Sequence, residues 1–97
     1  RLALADVNLE GLRAAFTPSE SVRLHALDVR SAAQWERLLT DTLERFGRLD
    51  YLFNIAGGGR PEFFLQQPLE NFDWVLDVNL KGALLGMRLA GEVMLRQ

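Results

Sequence analysis

Three apolar runs in this chain each stop at a short acid or amide: Leu2 to Ala5 at Asp6, the run from Val22 at Asp28, and the run from Leu49 at Asn54. Such side chains accept hydrogen bonds from hydroxyl and amino groups, and in a parallel α/β sheet ligands bind at the carboxyl ends of the strands. Ala56 and Gly57 follow Asn54 and lead into Gly58 and Gly59, so the backbone there can pass close to a bulky ligand with no large side chain between. Asn79 lies within an apolar helical pattern, where its amide competes for backbone groups and needs something to compensate. Each feature also has a plainer reading. Short polar residues at strand ends serve as caps and turns, a glycine run is a turn, and Asn79 caps or bends its helix.

Other chemistries find no residues to carry them. With no cysteine and a single histidine, His25, the chain has no thiolate metal site, histidine cluster or disulfide framework, and no metal site is expected. His25 alternates with apolar neighbours and reads as a packed, hydrogen-bonded strand residue. The net charge is −2, Lys81 is the only lysine and the arginines are scattered, which argues against nucleic acid as a partner. No apolar stretch approaches the roughly 18 residues of a membrane span. The opening "RLALADVN" is too short for a signal peptide and reads as a strand beginning in mid-domain. A hydrophobic fraction of 48% beside 25% charged residues is that of a soluble globular chain, and the absence of cysteine suits a reducing cytoplasm.

The polar strand ends need elements to position them. Leu2 to Ala5 is a buried-strand pattern, and Asn8 is a helix N-cap for "LEGLRAAF", with Leu9, Leu12 and Phe16 at helical spacing. Residues 17 to 21, "TPSES", form a loop, and Val22 to Val29 predicts a second strand. Ser31 with Gln34 forms a capping box for a helix whose apolar face holds Trp35, Leu38, Leu39, Leu43 and Phe46, and Gly47 ends it. Leu49 to Ile55 predicts a third strand. Pro61 and Pro68 mark an irregular segment, and Leu69 to about Arg96 is helical in pattern with a bend near Asn79 or Gly82. Trp74 fits a helix core face, and Met87 with Met94 a packed or subunit-contact stripe. The order β α β α β (loop) α implies a parallel sheet covered on both faces.

The segments "ADVN", "LDVR", "FGRLDYLFNIAGGG" and "FDWVLDVNLKG", in that order, resemble the short-chain dehydrogenase/reductase family across nearly the whole chain. The resemblance implies an α/β, three-layer Rossmann-type parallel sheet, with residues 1–97 forming a partial NAD-binding domain. It also implies hydride transfer between a nicotinamide cofactor and an alcohol or carbonyl substrate. Asp6 matches the acid that receives the adenosine ribose hydroxyls, and its charge repels a 2′-phosphate, which points to NAD over NADP. Asp28 and Val29 match the pair lining the adenine pocket. Asn54, Ala56 and Gly57 match the family's Asn-Asn-Ala-Gly motif, with Ile55 in place of the second Asn. Asn79 matches an Asn that helps hold a water in a proton relay toward the catalytic Lys; Lys81 is not that Lys.

Family members begin with a strand and a Thr-Gly-x-x-x-Gly-x-Gly turn that this chain starts after, and carry a Ser and a Tyr-x-x-x-Lys beyond its last residue. Tyr51 is the only tyrosine and Ile55 stands four residues on, so the catalytic pair is not supplied here. The sheet is therefore expected to be incomplete, lacking the first strand, the glycine-rich turn and the C-terminal half, and this segment alone to be inactive. The missing strand would lie between the runs at Leu2 and Leu49, leaving a marginal fold with open edges. The expected partners are a small alcohol or ketone and further copies of the intact protein, with no membrane. Two other readings remain: a non-catalytic nucleotide-binding or regulatory domain, and a structural interaction module using the long helix.

Overall fold

The computed structural model describes all 97 residues. β1 (Leu2–Asp6) and β2 (Val22–Ala26) pair in parallel, with Leu2 opposite Val22 and Asp6 opposite Ala26. One further ladder bond joins the Leu27 N–H to the Asp6 carbonyl at 3.0 Å. The second strand is shorter than the expected span to Val29 because the next helix cap takes over its last residues. Gln34 Oε1 accepts the Asp28 N–H at 2.7 Å, and the Ser31 N–H donates to the Asp28 carbonyl at 2.9 Å.

α1 (Leu9–Ala15) connects the strands and starts at Asn8, whose Oδ1 accepts the Gly11 N–H at 2.9 Å. α2 (Ala32–Phe46) starts where Ser31 Oγ accepts the Gln34 N–H at 3.3 Å. It stops at Gly47, which adopts φ +80°, a left-handed conformation that a side chain would strain. A 3₁₀ turn, Phe64–Gln66, falls in the expected irregular segment. The long helix divides into α3 (Leu69–Leu76), a π-helical segment Asp77–Lys81, and α4 (Gly82–Arg96). The π segment falls where a bend near Asn79 or Gly82 is expected from the sequence, and it alters the carbonyl ladder within an otherwise helical run.

α1 lies along both strands, while α2 and α4 pack on one another. The core sits between the sheet and the second pair. Leu27, Trp35 and Leu38 form its nucleus, with Ala3, Ala5, Val29, Leu52, Leu85 and Leu89 against them. Trp35 Nε1 donates to the Val29 carbonyl at 3.0 Å, joining the β2–α2 connection to α2.

The third expected strand does not form a ladder: residues 49–55 join no sheet, and only β1 and β2 pair. A strand exists through its neighbours, and the strand order implied by the family places another strand between the two apolar runs. Between β1 and residues 49–55 lies a groove of about 440 Å³ with largely apolar walls. The segment is held instead at its ends. Gln97 clasps both backbone groups of Leu49 at 2.9 and 2.6 Å, and Asn54 Nδ2 donates to the Ala83 carbonyl at 3.4 Å. Tyr51, Phe53 and Ile55 are 79%, 76% and 86% exposed, so this face lacks the cover expected of a complete three-layer domain. The radius of gyration is 15.1 Å, against about 13 Å for a compact 100-residue domain. No helix is long and apolar enough to cross a membrane.

Candidate cofactor-binding site

The carboxyl ends of β1 and β2 and the segment after Leu52 open onto one cleft of about 340 Å³. Six of the seven residues expected to form a site line it: Asp6, Asp28, Val29, Asn54, Ala56 and Gly57. The parallel register, which sets Asp6 beside Ala26, leaves Asp28 and Val29 two and three residues farther along the same edge. Asn54, Ala56 and Gly57 belong to a segment outside the sheet, anchored by the Asn54 bond to the Ala83 carbonyl and the Asn79 bonds to Gly58. The remaining wall is largely apolar and includes Leu27, Trp74 and Val78, suited to a flat, partly apolar ligand group.

Asp6 Oδ1 accepts the Asn8 N–H at 2.8 Å, which fixes the carboxylate at the β1–α1 turn. Its Oδ2 makes no hydrogen bond to the chain and is available to hydroxyl donors. Asp28 is held more tightly. Arg30 Nε lies 2.9 Å from Oδ1, and a terminal guanidinium nitrogen lies 2.7 Å from Oδ2. These side-chain hydrogen bonds hold the Asp28 carboxyl below its ordinary pKa and raise that of Arg30, so both groups are ionised at neutral pH.

Val29 is wedged against α4: a Cβ on Gly82 would come within 2.5 Å of Val29 Cγ2. The glycine run is fitted as closely. A Cβ on Gly57 would stand 2.9 Å from Asn79 Oδ1, and one on Gly58 2.6 Å from Trp74 Cη2. Arg60 lies over the Trp74 ring, 4.2 Å from its centroid, and steadies the far side of the run.

Asn79 does not line the cleft. Its Oδ1 accepts the Gly58 N–H at 2.8 Å and its Nδ2 donates to the Gly58 carbonyl at 2.7 Å. This is the compensation that an asparagine inside a helical pattern requires. An amide side chain has two donors and two acceptor positions, so one of each remains for a water.

Arg30 and Trp74 are cleft residues that reasoning from the sequence missed as part of the site. An Arg two positions after a strand-end Asp signals the first; nothing local distinguishes Trp74 from a core tryptophan. His25, expected to be hydrogen-bonded, is not. Its Nδ1 is 3.8 Å from Asp41 Oδ2, beyond hydrogen-bonding distance, and its Nε2 is buried without a partner.

A parallel β–α–β unit with its polar residues gathered at the strand ends defines a Rossmann-type α/β chain. Residues 1–97 match the enoyl-(acyl carrier protein) reductase family. Levodione reductase of Leifsonia aquatica is 38% identical over all of this chain and 39% of its own length. The 3-oxoacyl-[acyl-carrier-protein] reductase of Synechocystis is 35% identical over 80% of this chain and 31% of its own. Among solved structures, a short-chain dehydrogenase/reductase from Burkholderia phymatum in complex with NAD superposes with a TM-score of 0.83 at 35% identity, over 100% of this chain and 36% of that one. The chain belongs to the short-chain dehydrogenase/reductase family. It spans 39% and 31% of the two curated relatives named here.

Proposed function

We propose that this chain forms the adenosine-binding part of an NAD-dependent oxidoreductase acting on a small alcohol or ketone. The observation that carries this reading is the convergence of Asp6, Asp28 and the open backbone at Ala56 and Gly57 on one largely apolar cleft. The acceptor set fits the cofactor: the free Oδ2 of Asp6 accepts from a ribose hydroxyl and its charge opposes a 2′-phosphate, favouring NAD over NADP. Asp28 accepts from the adenine amino group, while Val29 packs against the base. Asn54, tied to the Ala83 carbonyl, and Asn79, tied to Gly58, hold the glycine run so that its backbone borders the cofactor. In this reading the remaining donor and acceptor of the Asn79 amide hold a relay water.

When bound, NAD supplies the hydride acceptor, and its reduced form the hydride donor. Residues 1–97 contain no Tyr-x-x-x-Lys, so proton transfer to or from the substrate is assigned to residues outside them, and these 97 residues alone are inactive. A second copy of the protein is the partner proposed for the exposed stripe of Leu76, Leu80, Leu84, Met87 and Leu95 along the long helix. A cytoplasmic location accompanies this reading.

The test is NADH oxidation by the full-length protein with a panel of small ketones. Turnover supports the proposal. Saturable NAD binding with no turnover on any ketone or alcohol favours the non-catalytic nucleotide-binding reading instead.

A further inference from the structure

Arg30 stands in the turn between β2 and α2 and borders the same cleft as Asp28. Its Nε lies 2.9 Å from Oδ1 and 3.2 Å from Oδ2 of Asp28, and its terminal nitrogen 2.7 Å from Oδ2. The Arg30 backbone N–H also donates to Oδ1, at 3.0 Å. The Asp28 backbone is fixed in turn by Gln34 Oε1, which accepts its N–H at 2.7 Å.

A carboxylate has about two acceptor positions on each oxygen. Both on Oδ1 are occupied. Oδ2 receives one short bond and only the long branch of the bond shared by Nε, so it keeps acceptor capacity for one more donor. An aspartate's terminal torsion is broad and selects no orientation by itself. The bidentate contact with Arg30 therefore selects it. A fixed, ionised carboxylate with one acceptor position left matches a single N–H donor and opposes an oxygen acceptor.

We infer that Arg30 is a positioning residue that sets the base selectivity of the cleft: by holding both oxygens of Asp28 it leaves one directed acceptor for the 6-amino group of adenine, against the 6-oxo group of hypoxanthine. The inference rests on the reading of the cleft as an NAD site. Arg30 acts through Asp28, and its planar fork is the property that matters, because a lysine keeps the charge without the bidentate geometry.

The test titrates NAD and nicotinamide hypoxanthine dinucleotide into the full-length protein as wild type, Arg30→Lys, Arg30→Gln and Asp28→Asn, with thermal unfolding recorded for each. Wild type is expected to prefer NAD by about ten- to a hundredfold, the scale of one hydrogen bond to a charged group. Both Arg30 variants are expected to lower that preference about three- to tenfold, mainly through weaker NAD binding, and Asp28→Asn to abolish it. A structural role alone would weaken both dinucleotides alike and leave their ratio unchanged. An unchanged ratio in folded Arg30→Lys and Arg30→Gln, with NAD still bound, overturns the role of Arg30 and leaves the NAD reading standing. A folded wild type that binds no NAD overturns both.

Discussion

Asn79 and Gly58, 21 residues apart, are joined through both ends of one amide, with Gly58 donating at 2.8 Å and accepting at 2.7 Å. The π segment around Asn79 is thereby coupled to the glycine run that borders the cleft. Replacing the side chain removes both bonds at once. Asn79→Ala is expected to destabilise the full-length protein by about 1–2 kcal/mol, the sum of two modest hydrogen bonds. It should also weaken NAD binding because the run loses its anchor. Urea unfolding and NAD titration check this; unchanged NAD affinity would separate Asn79 from the site.

The α2–α4 contact depends on a missing side chain. A Cβ on Gly86 would lie 2.6 and 2.7 Å from Trp35 ring atoms and 2.9 Å from Asn54 Oδ1. Trp35 is buried and its indole N–H is committed to Val29, so the ring has little room to yield. Gly86→Ala is expected to cost about 1–3 kcal/mol by overpacking. It should lower the urea midpoint at constant slope; stability equal to wild type would contradict the close approach.

His25 sets a pH dependence. Burial, the largest influence, lowers its pKa; Asp41 opposes this, and Arg23 adds to it. The unfolded chain has the ordinary value of about 6.5 and binds the proton first as pH falls. Stability is therefore insensitive to His25 above that value and falls below it, down to the depressed folded value. His25→Gln should flatten this acid limb when unfolding is followed from pH 8 to 5. An equally steep limb in the variant would assign the dependence to other groups.

Only eight of the 97 residues are buried, and Tyr51, Phe53 and Ile55 stand in solvent. So little burial offsets chain entropy poorly. The isolated 97-residue chain is expected to melt without a sharp transition and to self-associate through the open edge of β1. A cooperative, monomeric thermal transition with native-like amide protection would contradict this.

The residues that act locally were legible in the sequence. Asn8, Ser31 and Gly47 cap helices as their types and positions indicate, and Asp6 and Asp28 line the cleft because Asp6 ends one paired strand and Asp28 follows the other. What depended on distant partners was not. Residues 49–55 have a strand pattern, yet a ladder requires a neighbour that no pattern within the run supplies. Asn79 was recognisable as a residue needing compensation, but Gly58 was not recognisable as its partner. The fork from Arg30 and the exposure of Trp74 to the cleft likewise arise from side-chain geometry, to which periodicity is blind.

In the proposed site Asp6 receives the adenosine ribose of NAD. Isothermal titration of NAD and NADP into full-length wild type and Asp6→Ala tests it most directly. Saturable NAD binding by wild type is predicted, with NADP much weaker. Asp6→Ala should bind NAD about ten- to a hundredfold more weakly, as expected for losing a hydrogen bond to a charged group, and should narrow the gap to NADP. Equal NAD affinity in wild type and Asp6→Ala, or no NAD binding by either folded protein, would contradict it.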